Sequence, residues 1–362
     1  MGQPTIYLAA DVLCNPGWVD GMRRTTESIL IEMSKTHKVV CITPNKPLAS
    51  DIELNNNIQP TTLEKLYFED VSDGVCLLPS NGVWNISGHT RYYILSKFLG
   101  KVPIISVIHD TAPDVLYEDA IRYDGGNLQD FHKWVQASID ASSAIVGVSD
   151  NTVADIKKYY DVGDRPVVRI YNGVEIHPMP RNVSDYYMYF GGFSYRKGLG
   201  TLVKAMVHLL NMGRNPYLLL LGRYPAPNFK RYVDMAIDTG LVKYLPVVDD
   251  DELVRLIAGA KTLIYPSVYE GFGMPVAEAM RCRCPVVVSP VSSMPEIAGN
   301  AAIYFEPEND ADLAQKLVDF EDGVYDVPTL VENGYHKSLE FTWEESVRQY
   351  LQLCHTVYER GL

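Results

Sequence analysis

Short apolar runs rich in β-branched residues alternate with longer helix-period stretches along this chain, and the alternation occurs twice. In the first half, Thr5–Ala10, Lys38–Thr43, Val75–Leu78, Val102–Ile108, Ala144–Val148 and Val167–Tyr171 read as strands. In the second half, Tyr186–Phe190, Tyr217–Leu221, Lys243–Val247, Thr262–Tyr265 and Pro285–Ser289 do. Short runs without an apolar/polar alternation suit strands buried on both faces of a parallel sheet. Helical patterns lie between them at Thr25–Lys35, Leu128–Ala141, Thr201–Met212, Phe229–Thr239, Glu252–Ala258 and Val276–Arg281. The pattern therefore predicts an α/β chain with two parallel sheets covered by helices. Asn172-Gly-Val-Glu-Ile-His-Pro-Met-Pro180 punctuates the pattern and reads as a linker. A last helix runs through Trp343-Glu-Glu-Ser-Val-Arg-Gln-Tyr-Leu with no strand after it. In open parallel sheets ligands bind outside the carboxyl ends of the strands, so a cleft between two such domains is the expected site.

Composition excludes several partners. The chain has 362 residues, room for roughly two domains, and a net charge of −13 shared by two acidic halves. Binding to a phosphate backbone or to an anionic membrane surface is disfavoured by that charge. The amino terminus lacks the basic and apolar regions of a signal peptide, and Ile6 breaks the myristoylation pattern. The longest apolar runs fall far short of the ~20 residues of a membrane span. The expectation is a cytoplasmic protein without a transmembrane segment, for which peripheral membrane contact stays open. Six scattered cysteines read as reduced core thiols.

The most informative segment is Tyr265-Pro-Ser-Val-Tyr-Glu-Gly-Phe-Gly-Met-Pro-Val-Ala-Glu-Ala-Met280. An apolar strand ends at Tyr265, a Gly-rich loop follows, and Pro275 is placed to begin a helix. Gly271 and Gly273 permit close backbone approach, and a helix N-terminus attracts anions. Glu270 and Glu278 flank the same loop, where carboxylates accept hydrogen bonds from sugar or ribose hydroxyls. The same pattern also fits a plain strand–turn–helix with two solvated glutamates.

A second segment, Phe190-Gly-Gly-Phe-Ser-Tyr-Arg-Lys-Gly198, follows the first strand of the second half. Gly191 and Gly192 allow a tight turn, and Arg196 with Lys197 suits a departing diphosphate, though an exposed basic pair has the same appearance. In the first half, Asp20-Gly-Met-Arg-Arg24 reads as a Gly turn ahead of a helix from Thr25, and His109-Asp110 caps the strand ending at Ile108. Asp249-Asp-Asp-Glu252 reads as a helix N-cap and Ser293-x-x-Glu296 as a capping box. No His/Cys spacing points to a metal, and no dinucleotide fingerprint or serine-nucleophile elbow occurs.

In order and spacing, these segments resemble a GT-B retaining glycosyltransferase of family 4, mannosyltransferase-like. Glu270-Gly-Phe-Gly-Met-Pro-Val-Ala-Glu278 matches the family's Glu-x7-Glu motif and is followed by Pro285-Val-Val-Val-Ser. Gly21-Met-Arg-Arg24 resembles the family's Gly-Ile-Gly-Arg turn; His109-Asp110, Val148-Ser149, Asn172-Gly-Val174, Gly191 with Arg196-Lys197, Leu221-Gly222, Ser292-Ser-Met-Pro-Glu296 and the Phe-Thr-Trp343 helix complete the series. The turn carries Arg23 where the family usually has its second glycine, so Arg23 or Arg24 becomes a candidate charge there.

The resemblance implies two Rossmann-like parallel-sheet domains facing across a cleft: residues 1–175 on the acceptor side, 176–342 binding a nucleotide sugar, and a helix at 343–362 crossing back to the first domain. It implies that Arg196 and Lys197 hold the diphosphate, with backbone help from Gly21, Gly191 and the Gly271, Phe272, Gly273, Met274 and Pro275 loop, and with Arg24 nearby. Glu278 then binds the ribose, Glu270 the donor-sugar hydroxyls, and His109 with Asp110 lines the donor sugar and acceptor. The implied reaction is retaining, metal-independent transfer of a hexose to a glycan or glycoconjugate, with a nucleotide-diphosphate sugar as co-substrate and no further cofactor. GDP-mannose is favoured over UDP-sugars because His109-Asp110 with this amino-terminal turn resembles mannosyltransferase members. The alternatives are a GT-B nucleotide-sugar epimerase and a non-catalytic nucleotide-sugar-binding protein; nucleic acid is not expected as a partner.

Overall fold

Parallel neighbours cannot be joined by a tight turn, so each return demands a crossover, which the helical stretches between the apolar runs supply. The computed structural model describes residues 3–14, 21–44, 48–50, 52, 55–69, 71, 73–79, 88–116, 128–222, 230, 233–234, 237–361. Among these residues the strands form two parallel sheets. The first contains β1 (Ile6–Ala9), β2 (Val39–Thr43), β3 (Ile58–Thr62), β4 (Val75–Pro79), β5 (Ile104–Ile108), β6 (Ala144–Gly147) and β7 (Val167–Arg169), in the order β3-β2-β1-β4-β5-β6-β7. The second contains β8 (Tyr187–Phe190), β9 (Leu218–Leu221), β10 (Val242–Leu245), β11 (Leu263–Tyr265), β12 (Val286–Val288) and β13 (Ala302–Tyr304), in the order β10-β9-β8-β11-β12-β13. Strand order reverses between β1 and β4 and again between β8 and β11, which marks the ligand-binding crevice of each sheet. Both sheets are Rossmann-like.

Interior strands are buried on both faces, as their unbroken apolar runs require. All four leucines of β9 are buried, each worth about 1.5–3 kcal/mol of transfer free energy. Two edge strands were not apparent in the sequence. In β3, Ile58-Gln-Pro-Thr-Thr62, Pro60 removes a ladder donor, which an edge strand tolerates. At the other sheet's edge, β13 is only three residues long.

The expected helix from Thr25 instead runs over Gly21–Ser34, so Gly21-Met-Arg-Arg24 forms its first turn rather than a loop before it. Met and Arg are good helix formers, and nothing at Thr25 stops the helix from extending backwards. Asp20 and part of the expected Phe229–Thr239 helix lie outside the described residues. All six cysteines are buried free thiols.

The chain divides into two units. The first takes in the described residues up to 173, apart from any within 118–126, together with 342–361; the second takes in 174–341. Within the first unit, helix Trp343–Arg360 packs against helix Gly21–Ser34 and buries Val347, Tyr350, Cys354 and Val357. Thr342 caps that helix by accepting from the Glu345 amide, and Ser346 Oγ donates to the Tyr171 carbonyl at 2.5 Å. The His37 and His355 Nε2 atoms meet at 3.1 Å beside this contact. No helix among the described residues is long and apolar enough to cross a membrane.

Candidate active site

In the second unit, β8 and β11 lie side by side and release their loops at the same sheet end. After β8 the backbone turns through Gly191, whose φ of +137° favours glycine. A single 3-10 turn, Tyr195–Lys197, follows and stops at Gly198, with φ +65°. A Cβ on Gly198 would stand 1.9 Å from the Pro266 carbonyl oxygen, so this turn lies directly against the loop after β11. The Val268 amide donates to the Arg196 carbonyl at 2.8 Å and ties the two loops together.

That junction assembles the predicted charges. Lys197 Nζ lies 2.5 Å from Glu270 Oε1 and donates to the Tyr265 hydroxyl at 3.0 Å. Ser267 Oγ donates to the same Glu270 oxygen at 2.7 Å. Glu270 is 5% exposed. Burial by itself would raise its pKa, yet Lys197 and Arg196, with the bonds from Lys197 and Ser267, hold the carboxyl below its ordinary value. Glu270 is therefore an anion at neutral pH. Burial, reinforced by the Glu270 charge, pushes the Tyr265 and Tyr189 phenols well up, so both stay neutral.

The loop then enters helix Met274–Arg281. Gly273, at φ +98°, is its N-cap and makes no side-chain capping bond; Pro275 follows as the second helical residue. Glu278 is buried one turn further on. Beneath Gly273, a Cβ would meet Met294 Cε at 2.1 Å, so the glycine lets the loop close down on that side chain.

The expected capping box at Ser293 does not form. Ser293 is helical in backbone and caps nothing; its hydroxyl is directed to the Glu270 and Phe272 carbonyls, at 3.0 and 2.9 Å. Ser292 Oγ accepts from the Glu270 amide at 2.7 Å, and Ser289 Oγ donates to the Ser267 carbonyl. Tertiary acceptors outcompeted the local cap. By contrast, Asp249 caps its helix as expected, accepting from the Glu252 amide at 2.8 Å.

The structure thus gathers Gly191, Arg196, Lys197, Glu270, Gly271, Phe272, Gly273, Met274, Pro275 and Glu278 on adjoining segments of one unit. Gly198, Ser267, Ser289, Ser292 and Met294 lie in the quoted segments but have no predicted role at the site, and the structure adds them to it. Only the Ser267-x-x-Glu270 spacing carried a local signal.

The remaining predicted residues belong to the first unit. His109 follows β5 directly and is 7% exposed. Burial lowers its pKa to about 4 despite the opposing pull of Asp110, so the imidazole is neutral near pH 7. Asp110 Oδ1 accepts from the Ala112 amide at 3.2 Å. Gly21 opens helix Gly21–Ser34 and Arg24 is half-buried on its first turn. Arg23 is buried, with Nε 3.6 Å from Glu27 Oε2; it is a helix-side ion pair rather than a loop cation. Among the described residues, no group of three or more His, Cys, Asp or Glu side chains is placed to hold a metal ion.

Two family models account for most of the chain: "Glycosyltransferase Family 4" matches residues 19–177, and "Glycosyl transferases group 1" matches residues 181–336. The chain is a glycosyltransferase, with a family 4 domain in its first half and a group 1 domain in its second. Its relatives include O-antigen chain mannosyltransferase B of Escherichia coli, 29% identical over 268 residues that make up 68% of each chain. It is also similar to the serotype-specific mannosyltransferase WbdA of the same organism, 25% identical over 64% of this chain but spanning only 31% of that longer protein. Among solved structures, a sucrose-phosphate synthase from Thermosynechococcus elongatus matches 99% of this chain and all of that one, with a TM-score of 0.78 at 17% identity. Anabaena HepE in complex with UDP-glucose matches 98% of this chain and 99% of its own, with a TM-score of 0.72 at 15% identity. These likenesses identify the fold as GT-B.

Proposed function

We propose that the chain transfers a hexose, with mannose favoured, from a nucleotide-diphosphate sugar to a glycan or glycoconjugate acceptor. The observation that carries the reading is the junction of Arg196, Lys197 and Glu270 beside the glycine-capped helix of the Glu-x7-Glu segment. Negative charge grows on a departing nucleoside diphosphate, and two cations fixed beside a helix N-terminus stabilise it without reorganising. On this reading Arg196 and Lys197 hold the diphosphate, with the backbone of Gly191 and Gly271–Pro275. Glu278 binds the ribose, and Glu270 accepts from donor-sugar hydroxyls. Gly21 and Arg24 assist at the diphosphate, while His109 and Asp110 contact the sugar and acceptor. A neutral His109 suits hydrogen bonding to hydroxyls rather than charge neutralisation.

Transfer is read as retaining and metal-independent. The bond from the anomeric carbon to the donor phosphate breaks, and the acceptor oxygen attacks on the same face. Its proton passes to the departing phosphate oxygen. The side-chain cations carry the leaving-group charge on this reading. The mannosyltransferase relatives favour mannose, and with it GDP as the carrier.

Calorimetry with GDP-mannose, UDP-glucose and ADP-glucose ranks the donor, and NMR of the product formed with a mannan oligosaccharide acceptor gives the linkage stereochemistry. The expected outcome is tightest binding of GDP-mannose, an α-linked product, and loss of transfer by at least about a hundredfold in Lys197→Ala. No binding of any donor sinks the reading. Interconversion of the donor sugar without an acceptor replaces it by the epimerase.

A further inference from the structure

Two buried tyrosines lie beneath the charged junction and were assigned no role by the motif. Tyr189 of β8 and Tyr265 of β11 stack with centroids 5.9 Å apart and planes inclined by 16°. Both side chains are essentially inaccessible, and both hydroxyls point to the sheet end where the loops emerge: a Cβ on Gly191 would lie 3.7 Å from one and 3.9 Å from the other. Tyr189 donates its hydroxyl to the Gly192 carbonyl at 2.5 Å, so its proton is committed to the Gly turn. Tyr265 instead accepts from Lys197 Nζ at 3.0 Å. The Lys197 ammonium is thus held from two sides, by the Glu270 carboxylate and by a neutral phenol.

We infer, on the reading of the site given above, that Tyr265 is a positioning residue for the donor diphosphate, acting through Lys197. A lysine is a flexible point charge on a four-carbon stem, and its aim must be fixed by its surroundings. Glu270 alone holds the ammonium against itself. When a diphosphate arrives, phosphate oxygens compete with Glu270 Oε1 for Lys197, and release of that carboxylate turns it towards sugar hydroxyls. The phenol oxygen carries no charge and does not compete with phosphate in this way. It keeps Lys197 at the sheet end throughout the exchange, so the cation stays where leaving-group charge appears. Tyr265 touches neither donor nor acceptor on this account.

The test separates positioning from stability. Tyr265→Phe keeps the ring stacked on Tyr189 and removes the hydroxyl that accepts from Lys197 and bonds with the Glu270 carboxylate. Calorimetry with GDP and with GMP, on wild type, Tyr265→Phe, Lys197→Met and the double variant, measures what the diphosphate gains over the monophosphate. The expected result is a loss of about tenfold in GDP affinity in Tyr265→Phe, in line with a hydrogen bond to a charged group, with GMP affinity unchanged. In the Lys197→Met background the second substitution then costs nothing further. Equal losses for GDP and GMP, additive losses in the double variant, or no loss at all each overturn the inference while leaving the donor reading intact. Wild-type protein that binds none of GDP, UDP and ADP overturns the donor reading itself, and the role of Tyr265 falls with it. Thermal melting of Tyr265→Phe within a few degrees of wild type confirms that the comparison is made between folded proteins.

Discussion

A buried ionisable side chain is tolerated only in the protonation state that its neighbours support, and two predicted residues, one in each unit, resolve that demand in opposite ways. Glu270 stays charged because Lys197, Arg196 and Ser267 outweigh its desolvation. His109 stays neutral because burial outweighs Asp110. The second case has a measurable consequence. Between its ordinary value of 6.5 and its folded value of about 4, His109 takes up a proton in the unfolded chain but not in the folded one. Stability attributable to this residue is therefore complete above pH 6.5 and is lost as the pH falls towards 4. Urea unfolding at pH 7 and pH 4.5 is expected to show wild type losing about 2–3 kcal/mol more than His109→Asn across that interval. Parallel pH dependence in the two proteins would rule out a neutral, buried imidazole. Residue identities at the site were legible because the Glu-x7-Glu segment is contiguous. What was illegible was their company: Ser292 and Ser293 reach Glu270 from 22 and 23 positions away.

At the scale of elements, the loops matter more than the sheet they leave. Gly198 ends the Tyr195–Lys197 turn in the left-handed region and also gives the Pro266 carbonyl room, two requirements that only glycine meets together. Gly198→Ala is expected to destabilise the second unit by about 2 kcal/mol or more, from backbone strain plus the collision with Pro266. Thermal melting with donor titration checks this, and an unchanged melting temperature would show that the turn is not pinned in that way. Helix boundaries illustrate the same limit on local reading. Asp249 caps where its sequence says because its acceptor and donor are three residues apart. The Ser293 pattern was equally good, but two buried carbonyls left by the Glu270 loop needed a donor, and an unsatisfied buried carbonyl costs more than a missing surface cap. The edge strands β3 and β13 are hard to read locally for separate reasons: exposed Gln59 and Pro60 break the apolar pattern of the first, and the second is only three residues long.

For the whole molecule, the decisive contacts are those that bring the end of the chain back to its beginning. The backbone leaves the first unit at 173–174 and returns at 341–342. Gly173 accommodates the return: a Cβ there would lie 2.3 Å from the Trp343 amide nitrogen. Val174 N donates to the Phe341 carbonyl at 3.1 Å on the other side of the crossing. Trp343, 7% exposed, is the first residue of the returning helix. Trp343→Ala is expected to destabilise the first unit by about 3–5 kcal/mol, as large-to-small changes in a packed interior do. Hydrogen exchange resolved by segment reads this directly, as loss of protection in both the returning helix and helix Gly21–Ser34. Loss confined to the returning helix would show that the two helices do not stabilise one another. The repeated βα alternation, the two parallel sheets and the glycosyltransferase motif can be read from the residues in order, because strand burial, helix period and the Glu-x7-Glu spacing are local properties written in consecutive positions. The grip of Glu270 and Tyr265 on Lys197, the bracing of one loop by serines at 267, 292 and 293, and the neutrality of His109 emerge only in the folded chain. Those depend on which distant groups share a desolvated space, and burial and hydrogen-bond competition act through space rather than along the chain.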